Sequence, residues 1–193
     1  MASKYFNAND IEAMNAYRAQ IYAIREKMFA EFGVDPLDTD ALSSLAIHKI
    51  VSQYDADFNV NFARNGEDGK SGDVLIEQKA ARVDPNPLTK TNKPRKGYGM
   101  DASFAFHVGG EIDHQRYIFV ARSSADLSIL RIYDISSKAN RNIVIADLKV
   151  KADAWHAKGF QKHDMITISE KTILQKCKFL TKNQINGCKV FKD

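Results

Sequence analysis

The sequence predicts an α+β (α/β) fold, a central mixed β-sheet flanked by helices. Three observations carry this. Two helical periodicities open the chain. Period-two alternation takes over between residues 56 and 83. Apolar β-type runs then return between 117 and 135, with helical signals towards the end. A chain of 193 residues is expected to form one domain with a core large enough to fold alone.

The first helix is expected over 9–32, with Asn9 or Asn7 as its cap and Glu12 near its positive end. Ile11, Met14, Ala16, Tyr17, Ile21, Ile24, Met28 and Phe32 recur at three- and four-residue steps. Gly33 stops the helix and Pro36 confirms the break. A second helix is expected over 39–54, capped by Asp38 or Thr39, with Leu42, Leu45, Ala46, Ile50 and Val51 inward. His48 is read as a half-exposed or hydrogen-bonded histidine.

Over 56–63, Phe58, Val60 and Phe62 alternate with Asp57, Asn59 and Asn61, the pattern of a half-buried strand. Arg64-Asn65-Gly66 turns the chain. Residues 73–83 form the expected hairpin partner, with Val74, Leu75 and Ile76 as its apolar centre. Residues 84–99 are a long Pro- and Lys-containing loop. The segment 101–108 reads equally as a short helix or a strand. Strands are expected over 117–122 and 127–135, with a turn at Ser123–Asp126 between them. Ile143–Leu148 is a further apolar run, and 151–160 has helical character. A strand at 165–168 leads into a closing helix over 169–180 capped by Ser169.

Hydrophobic content of 44% and charged content of 27% are those of a soluble globular protein. No apolar run approaches the roughly 18–20 residues that span a bilayer. The N-terminal residues lack the apolar core of a signal peptide, so no membrane partner and a cytoplasmic location are expected. Cys177 and Cys188 are expected to be buried or half-buried free thiols. The net charge of +4 is uneven. Residues 1–76 carry 7 basic and 12 acidic side chains, a net −5, and residues 77–193 carry 21 and 12, a net +9. A basic half suits a polyanionic partner.

The chemistry concentrates in Gly66-Glu67-Asp68-Gly69-Lys70-Ser71-Gly72-Asp73-Val74-Leu75-Ile76-Glu77-Gln78-Lys79. On a strand, Asp73, Leu75, Glu77 and Lys79 share one face, while Val74, Ile76 and Gln78 share the other. Glu67 and Asp68 stand across a Gly-rich turn. Clustered carboxylates hold Mg²⁺, and an adjacent lysine orients or activates water, which is the chemistry of phosphodiester hydrolysis.

Asp68, eight intervening residues and Glu77-Gln78-Lys79 resemble the D…(D/E)xK signature of the PD-(D/E)xK nucleases, with type II restriction endonucleases nearest in size and style. The resemblance covers about residues 56–83, and the proline that names the motif is replaced by Glu67. It implies a restriction-endonuclease-like core in which residues 1–55 supply N-terminal helices, 56–83 a catalytic hairpin, and 84–193 the rest of the sheet and DNA-contacting loops. It implies catalytic roles for Asp68, Glu77 and Lys79. Mg²⁺ (with Mn²⁺ as substitute) would lie on Asp68, Glu77 and the Gln78 carbonyl. Glu67, Asp73, Glu26 and Glu31 remain open as further ligands.

Double-stranded DNA is the expected partner and a homodimer the expected assembly, because a two-fold dimer cuts a palindrome symmetrically. Lys90, Asn92, Lys93, Arg95 and Lys96 in the long loop, and Arg122, Ser123 and Ser124 at the later turn, are the expected DNA contacts. Two other readings stay open: a structure-directed repair or recombination nuclease, and a non-catalytic basic DNA-binding protein.

Overall fold

The structure, a computed structural model, describes residues 8–32, 39–61, 68–83, 102–123, 128–159 and 164–193. The chain divides into two compact units, residues 1–42 and 43–193. In the first, helix α1 spans Ala8–Phe32, as its periodicity predicts. Ile11, Met14, Tyr17, Ile21 and Ile24 of this helix are exposed.

Helix α2, Thr39–Val51, runs into the second unit and stops three residues short of the predicted end. Tight turns, in which the Gln53 and Tyr54 amides donate to the Ile50 and Val51 carbonyls, end it. The buried stripe is Ser43, Ile47, Ile50 and Val51. Leu45, expected inside, is 41% exposed. His48 is half-buried, its ring 5.9 Å from that of Phe58.

The strands are β1 Phe58–Val60, β2 Gly69–Ser71, β3 Val74–Arg82, β4 Ser103–His107, β5 Arg116–Arg122 and β6 Ile129–Ile135. Helix α3 Lys138–His156, β7 Met165–Ser169, α4 Glu170–Lys176, β8 Thr181–Ile185 and β9 Cys188–Lys192 follow. This is an α+β fold built on a mixed seven-stranded sheet of order β1-β2-β3-β5-β6-β9-β8. Strands β3/β5 and β6/β9 pair in parallel and the other neighbours antiparallel. Strands β4 and β7 form a separate antiparallel pair.

Three expectations change. The strand at 73–83 does not pair with 56–63 directly. The short strand β2 lies between them and turns into β3 through Gly72, at φ 57°, and Asp73. At the start of β3 only Ile76 is buried, with Val74 and Leu75 39% and 44% exposed. The apolar run 143–148, whose element type the sequence leaves open, belongs to α3, capped by Ser137, whose hydroxyl accepts from the Asn140 amide at 3.3 Å. The helix capped by Ser169 ends at Lys176 instead of 180, and a β8–β9 hairpin turning at Asn186-Gly187 follows it.

Alternation along the central strands builds two apolar layers. Ile76, Ile118, Val120, Ile132 and Val190 face α2, with Phe58 and Cys188 beside them. Tyr117, Phe119, Tyr133 and Ile135 face Phe104 and Phe106 of β4, Ile166 and Ile168 of β7, and Val144 and Leu148 of α3. Both cysteines are buried free thiols, burial pushing each up to about 11.

Candidate active site

Strand β2 sets the site's register. Gly69 stands opposite Ile76 and, on its other side, opposite Val60. One step back, Asp68 falls opposite Glu77, and its carbonyl accepts from the Asn61 amide at 2.8 Å. A Cβ at residue 69 would lie 2.7 Å from the Asn59 carbonyl oxygen, so only glycine lets these two strands approach. The register is held from the opposite face of the sheet. Buried Arg116 donates to both carboxylate oxygens of Asp134 at 2.8 and 2.6 Å and also pairs with Asp55. Asp55 in turn accepts from the Ser71 hydroxyl at 2.8 Å.

Glu77 and Lys79 share the β3 face that looks towards β4, as their register partners Tyr117 and Phe119 do. The Lys79 ammonium contacts the Glu77 carboxylate directly and lies 3.8 Å from Asp68 Oδ2. It also sits 5.5 Å from the centre of the Phe106 ring. The Gln78 amide donates to Asp68 Oδ2 at 2.8 Å. The Gln78 side chain points to the opposite face, donating to Ser44 Oγ at 3.2 Å, so only its main-chain carbonyl is available beside the carboxylates. Burial holds the Asp68 carboxyl above its ordinary range, although the Lys79 ammonium and the Gln78 amide pull the other way.

A cleft of about 630 Å³ opens between β3 and β4 over Glu77 and Lys79. The segment following β4 forms its far wall and was not singled out in the sequence. There His114 brings Nε2 to 3.8 Å from Glu77 Oε2, and Glu111, Asp113 and Gln115 line the same space. This wall is pinned. Tyr117 Oη accepts from the His114 amide at 3.2 Å and donates to the Ile112 carbonyl; Gln115 accepts from the Leu75 amide at 2.8 Å; and Arg141 donates to the His114 carbonyl at 3.1 Å. The available signal was a density of titratable residues, three in the four positions 111–114, just after a Gly-Gly pair.

The other described sequence-predicted residues lie on other elements or turns. Asp73 is exposed in the turn before β3, and Glu26 and Glu31 lie on α1 in the N-terminal unit. Arg122 and Ser123 are each 9% exposed at the end of β5, where Arg122 pairs with Arg82. That is five positions beyond the Glu77–Tyr117 pair, about 16 Å along the strand. Glu67, Lys90, Asn92, Lys93, Arg95, Lys96 and Ser124 lie outside the described residues.

Among the described residues no three His, Cys, Asp or Glu side chains stand together as a metal-holding group. The donor set nevertheless fits Mg²⁺, which takes one or two carboxylates and keeps several waters. Asp68 and Glu77 offer two carboxylates that meet at one ammonium, and the unfavourable burial of Asp68 is the kind that a bound cation relieves. Among the described residues no helix is long and apolar enough to cross a membrane. In comparisons with known proteins, the chain matches no family model and no curated sequence.

Proposed function

We propose that the chain is a Mg²⁺-dependent phosphodiester hydrolase with a restriction-endonuclease-like core. It cuts double-stranded DNA at specific sites as a homodimer, in the manner of type II restriction endonucleases. One observation carries the reading: the ammonium of Lys79 meets the carboxylates of Glu77, beside it on β3, and Asp68, just before β2, and Glu77 and Lys79 line an open cleft. Three residues within the twelve positions 68–79 thus form one charged centre of the type phosphoryl transfer uses.

The chemistry that Mg²⁺ supplies when bound is neutralisation of the phosphoryl oxygens and activation of a water. Asp68, Glu77 and the Gln78 carbonyl are the groups that would hold it. Lys79 positions the attacking water and stabilises charge that develops on the phosphoryl group. Glu111 and Asp113 make the cleft acidic, so an approaching phosphate is repelled unless a cation is present.

The test is a digest of plasmid DNA and a synthetic four-way junction side by side, with Mg²⁺, with Mn²⁺ and with EDTA. Discrete plasmid fragments that require the divalent ion are expected. Cutting confined to the junction would favour a structure-directed nuclease, and DNA binding without cutting under either ion would leave a non-catalytic binding protein.

A further inference from the structure

The second half of α3 carries a surface that the cleft chemistry does not use. Trp155, the only tryptophan in the chain, is 40% exposed. It lines a groove of about 180 Å³ with Lys151, Ala154 and Lys158. Lys151 precedes it by one helical turn, and the Lys158 amide donates to the Trp155 carbonyl at 3.0 Å in the turn that ends the helix. Val150, 71% exposed, lies one turn before Ala154 and extends the apolar strip. On the same helix Asp147 pairs with Lys151 at 2.6 Å and with Lys176 of α4 at 3.3 Å.

An indole beside an ammonium group matches one partner chemistry well. Its face stacks on a nucleobase, while the lysine meets a neighbouring phosphate. An acidic peptide would use the lysine but would leave the indole without a stacking partner.

Strand β7 joins this surface to the cleft. Met165 lines the cleft, and Thr167, two residues on, is exposed on the same face of β7, about 7 Å along the strand. The Lys151 ammonium donates to the Thr167 carbonyl at 2.6 Å and to Asp147 Oδ2 at 2.6 Å, which fixes it against β7.

We infer that a single-stranded stretch of nucleic acid leaves the cleft along β7 and stacks a base on Trp155, with a phosphate held by Lys158. The inference rests on the nucleic-acid reading of the cleft and adds a single-strand track beside it. A duplex opened or frayed next to the scissile bond would supply the strand.

Because Trp155 is the sole indole, its fluorescence reports this surface directly. The protein is titrated in EDTA, which suppresses cutting, with a fluorescein-labelled twelve-residue oligo-dT, reading label anisotropy for total binding and an unlabelled copy for indole quenching. Quenching that tracks anisotropy is expected. Trp155→Ala should weaken binding about 5- to 150-fold, the range for one stacked base. Lys158→Gln should lower the log–log salt slope by about 0.7. Trp155→Phe, which keeps a ring, should bind closer to wild type than Trp155→Ala.

Oligonucleotide binding with unquenched indole and an unchanged Trp155→Ala affinity would overturn the track while leaving nucleic-acid binding elsewhere on the protein intact. Equal quenching by poly-glutamate would assign the surface to acidic polymers generally and overturn it too. Absence of oligo-dT binding would sink the track alone if the protein still cuts duplex plasmid with Mg²⁺, and the nucleic-acid reading with it if the protein neither binds nor cuts DNA.

Discussion

Through one ammonium, Lys79 meets Glu77, Asp68 and the face of Phe106. Lys79→Ala should therefore lower the cleavage rate by about 10²–10³-fold, the usual cost of losing a group that stabilises transition-state charge. Affinity for DNA should stay within a few-fold, because one lysine among 28 Lys+Arg contributes little to the total attraction. Glu77→Ala should be as inactive, yet bind DNA more tightly in EDTA, since one of the cleft's carboxylates is gone. Single-turnover cleavage and filter binding on the same preparations check both. Wild-type rates in both variants would place the chemistry elsewhere. Glu77 and Lys79 were legible in the sequence because alternation along a strand is local, and Asp68 because a carboxylate just before a Gly-containing turn returns to the same place. His114 was not legible. It lies 37 residues after Glu77, and only the parallel pairing of β3 with β5 brings the two within 4 Å.

At the level of elements, the glycine that opens β2 and the one that follows it make opposite predictions. Gly69→Ala pushes a methyl into the Asn59 carbonyl and should cost about 1–3 kcal/mol, with loss of cleavage as Asp68 shifts. Gly72→Ala meets no atom within 4 Å but must hold φ at 57°. It should cost about 1–2 kcal/mol and leave cleavage intact. Urea titrations beside cleavage rates separate the cases. The segment 84–99, which the sequence alone reads as a loop, makes a prediction of its own. Neutralising Lys93, Arg95 and Lys96 together should reduce the salt slope of duplex binding by about 2.7 if each meets a phosphate, and an unchanged slope would remove the loop from the interface. Element type was legible wherever periodicity ran long, as in α1, or where apolar residues were continuous, as in β5. It failed at β2, whose Gly-Lys-Ser carries no alternation to detect. At α3 a central Ile-Val-Ile run has β propensity, but the helix is decided by Ser137 and by packing on β7. The β8–β9 hairpin was missed despite its Asn186-Gly187 turn, because the apolar residues before it prolong the helical pattern of α4.

For the whole molecule, acid is the informative perturbation. Burial alone would raise Asp55, Asp147, Glu170 and Asp193, but their partners outweigh it and hold all four below their ordinary values. The partners are Arg116 and Ser71, Lys151 and Lys176, Arg131 with Tyr133 and the Ala102 amide, and Ser136, Ser137 and Asn140. A depressed carboxylate adds stability that is complete above its unfolded pKa, about 3.9 for Asp and 4.3 for Glu, and is lost as pH falls through the folded value. The urea midpoint should therefore drop steeply below about pH 4, and Glu170→Gln should flatten that drop. Asp68 has the opposite sign. Raised by burial, it favours the fold only when protonated, and that contribution is lost as pH rises through its folded pKa. Asp68→Asn should accordingly raise the urea midpoint at pH 7 while abolishing cleavage, and a fall would contradict the assignment. The sheet's strand order has a further consequence, during synthesis. Strand β6 pairs on one side with β5, its near neighbour in sequence, and on the other with β9, so that Arg131 must wait for Lys189. At roughly 5–20 residues per second, a ribosome leaves that edge of β6 bare for several seconds, beside a half-built apolar layer awaiting Cys188 and Val190. The nascent chain thus passes through an aggregation-prone interval that the finished molecule conceals, and conditions that slow elongation over residues 136–188 should lower the soluble yield without altering the folded protein.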